Sequence, residues 1–460
     1  MPRHERLFPR SLAILVALTP LDTFAAEQND RHFARDLVRA ATYTVEAYTS
    51  VFFQTFPSTP TRIVDDKAVV FWTKGTAKSQ ATLCDGLSVK AALLTVYSGY
   101  DDERRGVFAS PDSEAVYSRY VDFKELSLRY DQKAFAVTLG KAPITVGLST
   151  LYSPANRYRV LDTSNPMQPE DLGVWQASLD WFLGDNTLRF SVLPVEAHSL
   201  FPHGSSRWLG EFGAGFNHSS SGTSAGLGSG GAVGLTLPAE VTARAAFRNR
   251  LGSLLKFSGV ATGVDYFAAA HYGPSIFPAL QNSPQNEFVI ETPAAATFSG
   301  GATATRGALE IHGESAYQLA DGNDDQDFVK YVIGAAYRET VLAERLGLDE
   351  ITPVIEYAGE WTTDEQDNPG LTVPSEEARP FRNSLLFKID LMPSDKLTCT
   401  IGGIRNFSTD DRAYAISIEY KPDYNLTFRV AAVAFDGETD TPFGLWDRND
   451  HIAFGVKRTF

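Results

Sequence analysis

The ten residues that decide the fold are His451-Ile452-Ala453-Phe454-Gly455-Val456-Lys457-Arg458-Thr459-Phe460. Counting back in twos from Phe460, one set of positions carries bulky side chains, mostly apolar, and the other set carries small or polar ones. An alternation with a period of two predicts a β-strand whose two faces meet different surroundings. We therefore expect the chain to end in a strand with one apolar face.

This segment resembles the closing strand of Gram-negative outer-membrane β-barrels, which ends in an aromatic residue. The resemblance implies that Phe460, Val456 and Phe454 form the signal recognised by the barrel assembly machinery. It also implies an all-β fold, a transmembrane antiparallel β-barrel. The location that it implies is the bacterial cell outer membrane, in contact with outer-membrane lipid and lipopolysaccharide.

The first 25 residues are typical of a secretory signal peptide. Three arginines precede an apolar run over residues 12–18, and small residues lead to Ala25. A basic start, a short apolar middle and a small-residue exit are what the export machinery reads. The alternative is an amphipathic surface helix. The domain organisation predicted is a signal peptide over 1–25, a periplasmic N-terminal segment over 26–41 and a β-barrel over 42–460.

The period-two alternation recurs upstream, for example at Val329, Tyr331 and Ile333. Brief turns are expected near residues 132, 185, 252, 306, 394 and 422, and long polar connections over 272–293, 362–380 and 436–449. Short turns at one end and long loops at the other are typical of outer-membrane barrels. The pattern predicts about 18 strands, with 16 as the alternative count. A soluble β-propeller or β-sandwich is the competing fold.

Composition excludes several classes of protein. The chain has 460 residues, 43% hydrophobic and 21% charged, with a net charge of −15. The acidic balance argues against nucleic acid as a partner, because neutralising phosphates requires a basic surface. No run of 18 apolar residues occurs, which excludes helical membrane spans. A β-barrel stays compatible, because its apolar residues occupy alternate positions.

Signals for cofactor, metal or catalytic chemistry are weak. The eight histidines are scattered singly, without the paired spacing of a zinc site. The acidic segment 321–327 offers oxygens for calcium but lacks EF-hand spacing, so a solvated hairpin tip is the favoured interpretation. No catalytic set is identified and no cofactor is expected. Cys84 and Cys399 are predicted to be unpaired thiols, because the strand order places them far apart around the barrel.

Strand parity predicts which side chains line a pore. Where one parity faces lipid, the other must face the lumen. One predicted strand, for example, places Val241, Ala243, Ala245 and Phe247 outside. The predicted pore-lining residues are Arg244, Arg248, Glu310, His312, Glu314, Lys330, Arg338, Glu356, Glu360, Lys388, Asp390, Glu419, Arg429 and Lys457. Charges of both signs on facing walls would produce a transverse field. The alternative is that many of them pair across strands and fill the lumen.

Two further features concern the loops. The segment 202–238 is rich in glycine and serine, which favours a flexible external loop. The alternative is a loop that folds inward and narrows the barrel, since glycine permits close backbone approach. Acidic residues also concentrate in 321–327 and 364–377, which predicts an acidic mouth that attracts cations.

A second resemblance comes from motifs between strands. Gly140-Lys141 ends a predicted hairpin, and Ser153-Pro154-Ala155-Asn156 and Asn165-Pro166 lie in the following loop. These motifs resemble those of porin-like outer-membrane proteins, including the alginate-export type. The resemblance implies a channel for passive diffusion of small hydrophilic solutes, not an enzyme. The alternatives are an outer-membrane barrel enzyme of the lipase or protease type, or a non-conducting scaffold or receptor. Oligomeric state is not predicted.

Overall fold

The computed structural model describes sixteen stretches of the chain. They are residues 41–55, 67–98, 119–156, 159–163, 165–195, 207–209, 227–228, 232–233, 244–245, 251–274, 279–282, 288–291, 293–321, 326–364, 381–438 and 441–460. The predicted signal peptide, the N-terminal segment up to residue 40, and Arg248 lie outside the described residues.

Eighteen strands form one sheet. They are β1 (Thr42–Phe52), β2 (Val69–Cys84), β3 (Leu87–Ser98), β4 (Arg119–Asp131), β5 (Phe135–Ala142), β6 (Val174–Leu183), β7 (Asn186–Leu193), β8 (Gly252–Ala261), β9 (Val264–Pro274), β10 (Ala294–Arg306), β11 (Leu309–Ala320), β12 (Asp327–Tyr337), β13 (Glu350–Asp364), β14 (Asn383–Ser394), β15 (Leu397–Asn406), β16 (Arg412–Asp423), β17 (Leu426–Asp436) and β18 (His451–Thr459). The predicted count of 18 is confirmed.

The sheet closes on itself through its first and last strands. Every strand pairs antiparallel with the next, and β18 pairs antiparallel with β1, with Val456 opposite Ala47. At the end of this seam the Phe460 amide donates to the Tyr43 carbonyl at 2.8 Å. The terminal segment therefore forms a closing strand, as predicted, and the sheet has no free edge to satisfy.

The outer surface is apolar. Side chains of one parity project outward and are exposed, such as Ile416 and Phe428 on neighbouring strands, whereas the intervening Ser417 and Ala431 face inward. The assembly-signal residues Phe454, Val456 and Phe460 belong to the outward set. An apolar exterior around fully paired strands is the arrangement that a bilayer accepts, because lipid offers backbone groups no partners.

Connections alternate in length, as predicted. Six consist of two residues, namely 85–86, 184–185, 262–263, 307–308, 395–396 and 424–425, while the opposite end carries long loops such as 143–173, 365–382 and 437–450. Gly86, Gly184, Gly263 and Gly307 have φ between 64° and 76°, which two-residue hairpins require. A longer connection at the short-turn end carries the helix α1 (Val341–Arg345). None of the helices in the described stretches is long and apolar enough to cross a bilayer.

The predicted wall strand around Arg244 is wrong. Arg244–Ala245 pairs in parallel with Val289 and Ile290 in a separate three-stranded sheet. The wall position next to β7 belongs to β8, with Gly252 opposite Leu193. The turn expected near residue 252 therefore lies at 262–263. A short alternating segment does not by itself determine which residues form a wall strand. Pairing with both neighbouring strands does so, and β8 pairs with β7 and β9 over its length.

A charge placed on each face of one strand tests the orientation of the wall. Ile401 and Thr400 are neighbours in the middle of β15, with Ile401 40% exposed on the outer face and Thr400 facing inward. We expect Ile401→Arg to reduce the free energy of unfolding by about 2–4 kcal/mol, the cost of a lipid-facing arginine near the bilayer centre. Thr400→Arg should change it little. Urea unfolding in lipid vesicles measures both, and an equal loss in the two variants would contradict the assignment of faces.

Candidate functional site

The interior of the barrel contains the described residues of the connection between β5 and β6, namely 143–156, 159–163 and 165–173, which we call the lumenal loop. It includes a short hairpin, Val160–Asp162 paired with Glu170–Leu172. For 202–238 the sequence favoured a flexible external loop, with an inward-folding loop as the alternative. Of that segment, the described parts are residues 207–209, 227–228 and 232–233. The inward-folded connection that the structure describes is the lumenal loop.

Two buried carboxylates of the wall hold the first half of the lumenal loop. Glu314 on β11 accepts hydrogen bonds from the amides of residues 148, 149 and 155, at 2.8, 3.1 and 3.1 Å. Glu356 on β13 accepts from the amides of residues 150, 151 and 152, at 2.9, 2.8 and 2.9 Å. Six backbone N–H groups thus converge on two charges. Hydrogen bonds to an ionised acceptor are about twice as strong as neutral ones, so this is a firm attachment.

His312 completes this attachment from the wall. Its Nε2 atom lies 2.9 Å from Glu356 Oε1, and its Nδ1 atom lies 3.5 Å from Glu310. The imidazole is 2% exposed. It therefore orients Glu356 beneath the loop and does not face open solvent.

The loop approaches the wall closely because Gly147 and Asn156 shape it. A Cβ atom at Gly147 would lie 2.7 Å from Glu314 Oε2 and 2.0 Å from Ser153 Oγ, so a larger residue would displace the loop from its carboxylate. The Asn156 side chain accepts from the amides of Val146 and Gly147 at 2.7 and 2.8 Å. The Ser-Pro-Ala-Asn motif noted in the sequence is therefore a turn that presents amides to Glu314.

The hairpin in the second half of the loop is held by other wall strands. The hydroxyl of Tyr120 on β4 donates to Asp162 Oδ2 at 2.5 Å. Glu170 accepts from Lys74 on β2 at 2.5 Å and also from Lys124 on β4. Burial alone would raise the pKa of Glu170, but the two ammonium groups outweigh it and lower that pKa. Glu170 is therefore held as a carboxylate.

These two sets of contacts lie on opposite sides of the barrel. In the closed ring of 18 strands, β2 and β4 stand directly across from β11 and β13. The lumenal loop therefore spans the full width of the lumen and divides it into two halves.

The two halves are filled differently. On the side of β3 to β9, the loop residues Ile144 and Val146 join Leu94, Leu254 and Phe267 of the wall in one buried apolar cluster. On the side of β14 to β18 and β1, a cavity of about 610 Å³ lies between loop and wall. We call this cavity the passage.

The wall of the passage is built largely from small side chains. Inward positions on β15 to β18 are Gly402, Ala413, Ala415, Ala431, Ala453 and Gly455. The loop side contributes Leu151, Tyr152 and Met167. Polar contacts come from Ser50, Thr400 and Ser417, and charge from Lys388 and Arg429 on the wall. Small residues leave open space here, in contrast to the filled half.

Several predicted pore-lining residues face inward but do not line open space. Glu314, Glu356 and His312 lie beneath the loop, and Lys330 forms a buried ion pair with Glu360 at 2.8 Å. The side chain of Lys330 also borders the passage. Parity placed these residues on the correct face. It could not show that a loop would cover Glu314, Glu356 and His312, so the prediction that these three line the pore is wrong.

Of the remaining predicted residues, Lys388 and Arg429 line the passage. Lys388 and Asp390 pair at 2.8 Å, Glu419 pairs with Lys421 at 2.7 Å, and Lys457 lies 3.2 Å from Glu46. Arg429 is exposed on the inner wall. Glu310 borders His312, and Arg338 is a solvent-exposed residue at the short-turn rim, paired with Glu350. Cross-strand and same-strand pairing of charges is therefore common, as the alternative interpretation held.

Sequence reasoning missed the residues that fix the loop from its other side, namely Lys74, Tyr120, Lys124, Asp162 and Glu170. The Asn-Pro and Ser-Pro-Ala-Asn turns were a usable signal, because they mark a connection with defined internal structure. No such signal identified Lys74 or Tyr120, whose partners are distant in sequence.

A second cluster lies at the long-loop end of the barrel. The 3₁₀ turn Arg207–Leu209, which we call the latch, docks on the turn Gly444–Asn449. The Arg207 guanidinium is fully buried and donates to Asn449 Oδ1 and to the carbonyls of Lys67, Gln54 and Arg448, at 2.7–3.2 Å. Its central carbon lies 3.4 Å from the centroid of the Phe52 ring.

The latch also supplies an aromatic side chain. Trp208 packs edge-on against Trp446 at 5.5 Å and Phe435 at 6.3 Å, and Trp446 Nε1 donates to the Trp208 carbonyl at 2.6 Å. Phe435, Phe443 and His451 belong to the wall of the passage as well. The latch therefore stabilises the long-loop end of the passage.

No three His, Cys, Asp or Glu side chains within the described stretches come together in a group that could hold a metal ion. The acidic segment 321–327 is described only at residues 321, 326 and 327. Both cysteines are free, as predicted, with Cys84 exposed and Cys399 partly buried.

Closure of the ring, the apolar exterior and the charged, partly filled interior define this chain as an integral β-barrel protein of the bacterial outer membrane. No protein-family profile matches the sequence, and no curated protein sequence matches it.

Among solved structures, the chain is similar to OccK9 (OpdG) of Pseudomonas aeruginosa, with 11% identity and a TM-score of 0.48 over 92% of this chain and 98% of that chain. It is also similar to a mutant of the Rh. blastica porin, with 12% identity and a TM-score of 0.41 over 91% and 99%. A loop L8 deletion mutant of OmpT, an outer membrane protein of Vibrio cholerae, gives 9% identity and a TM-score of 0.42 over 92% and 100%.

Neutralising one wall carboxylate tests the attachment of the lumenal loop. Glu356→Gln removes the charge that three loop amides share. We expect hydrogen exchange of residues 150–152 to accelerate roughly ten- to a hundredfold, since a hydrogen bond to a charged group contributes about 1.5–3 kcal/mol. Asp390→Asn is the matched control, because Asp390 contacts Lys388 and Thr400 instead of the loop. Unchanged exchange in Glu356→Gln would refute the anchoring role.

Truncating Arg207 tests the latch. Arg207→Ala leaves Asn449 and three carbonyls without their buried donor, a cost of about 1–3 kcal/mol for each unsatisfied group. We expect the latch to detach, so that Trp208 and Trp446 become accessible to acrylamide and fluorescence quenching increases. Arg412→Ala, which removes an exposed arginine paired with Asp436, should leave quenching unchanged. If acrylamide quenches the fluorescence of both variants to the same extent as that of the parent protein, docking of the latch does not depend on Arg207.

Proposed function

We propose that the protein is an outer-membrane channel for passive diffusion of small hydrophilic solutes, which move through the passage beside the lumenal loop. The observation that supports this most is the unequal filling of the lumen. One half is packed with apolar side chains, and the other holds a cavity of about 610 Å³.

The dimensions of the passage suit such a role. Along β17 it extends from Phe435 to Arg429, six residues or about 20 Å of strand. Six residues are more than half of the roughly 9–11 that a tilted strand needs to cross the bilayer. Attachment of the loop to both sides of the barrel keeps the width constant, so the passage would discriminate solutes by size.

An enzyme of the lipase or protease type is the competing proposal. It would need a histidine and a carboxylate beside an accessible nucleophile. The histidine–carboxylate pair described above, His312 with Glu356, is covered by the loop and bonded to its amides. This arrangement favours attachment over hydrolysis.

A bulky residue placed inside or outside the wall tests the channel. Ala431 faces the passage, and its neighbour Ala432 faces lipid. We expect purified protein to give single-channel steps in planar bilayers, and Ala431→Trp to reduce the conductance several-fold by occupying the passage. Ala432→Trp should conduct like the parent protein.

The outcomes separate the competing proposals. Equal conductance in the two tryptophan variants would place the conducting path elsewhere. Absence of any channel activity together with hydrolysis of phospholipid or peptide would favour the enzyme. Absence of both would favour a scaffold or receptor.

A further inference from the structure

The charged side chains that line the passage all have the same sign. Among the described residues they are Arg159, Lys330, Lys388 and Arg429, and no aspartate or glutamate side chain lines it. The chain as a whole has a net charge of −15. A cationic lining is therefore a local property and does not follow from overall composition.

Three of these four cations are already neutralised. Arg159 forms a two-point contact with Asp171 at 2.7 and 2.9 Å. Lys330 and Lys388 pair with Glu360 and Asp390, each at 2.8 Å. Their charges are held by the protein and offer little to a solute.

Arg429 differs from the other three. Within the described residues no carboxylate lies within 4 Å of its guanidinium. Its cross-strand neighbour Glu419 is bonded to Lys421 at 2.7 Å. The other neighbour is Gly455, whose missing side chain leaves room for the Tyr48 ring. An exposed guanidinium beside an aromatic ring thus faces the passage.

Apolar side chains line the passage on the long-loop side of Arg429. Ala431 and Val433 follow it on the inner face of β17, Ala415 lies opposite Val433 on β16, and Met167 and Pro169 line the passage from the loop. Guanidinium groups bind carboxylates through two parallel hydrogen bonds.

We propose that the passage binds small organic monoanions, a carboxylate on an apolar body, with Arg429 contacting the carboxylate and the alanine-lined wall accommodating the body. This proposal rests on the passage as the conducting path. One accessible cation favours a single negative charge, because a polyanion would require several unpaired cations. The apolar wall favours a body of a few methylene groups over a sugar.

Two measurements on three proteins test the proposal. The proteins are the parent, Arg429→Gln, and Arg412→Gln, in which an exposed rim arginine outside the passage is neutralised. The first measurement is the reversal potential in a KCl gradient across a planar bilayer. The second is saturation-transfer NMR of pentanoate, pentylammonium and citrate with purified protein, where the variants correct for uptake by detergent.

We expect the parent to prefer chloride over potassium and to bind pentanoate more tightly than pentylammonium or citrate. Arg429→Gln should lose the anion preference and bind pentanoate about tenfold more weakly, the effect of losing one charge-assisted contact. Arg412→Gln should match the parent in both measurements.

Each other result has a defined meaning. Equal binding of pentanoate and pentylammonium, tighter binding of citrate, or an unchanged Arg429→Gln variant would overturn the monoanion site while leaving the channel intact. A parent protein that binds pentanoate through Arg429 but conducts no ions would overturn the channel and leave the binding site.

Discussion

Backbone amides that enter the lumen of a β-barrel must find acceptors there, and this requirement governs the interior of the protein. Strand amides are satisfied by neighbouring strands, but those of residues 148–155 in the first half of the lumenal loop lie outside any strand. Glu314 and Glu356 provide the acceptors for six of these amides. Because both carboxylates accept hydrogen bonds from the loop, neither of them lines the open half of the lumen.

The two halves of the lumen follow from where the loop is attached. The side chains of Ile144 and Val146 project to one side and complete a hydrophobic cluster with the wall. On the other side the wall carries alanine and glycine at its inward positions, so no side chain of the described residues fills the remaining volume. The small side chains on β15 to β18 therefore leave the passage open. The position of the loop determines which side of the barrel contains it.

The sequence specified the wall far better than the interior. Period-two alternation and the long-short order of connections are local signals, and they predicted 18 strands and the inward face of Glu314, Lys388 and Arg429 correctly. They failed at Arg244, where a short alternating stretch pairs elsewhere. They could not show which inward residues are covered, because contacts such as Glu356 with the amide of residue 150 join parts of the chain 206 residues apart.

That separation along the chain ties the width of the passage to closure of the ring. The loop lies between β5 and β6, whereas its two carboxylates belong to β11 and β13. The hairpin contacts join the loop to β2 and β4, which lie near it along the chain, but the other attachment needs strands that stand across the lumen. In an open sheet these strands are far from the loop. The width of the passage is therefore a property of the closed barrel, in which curvature brings β13 opposite β4.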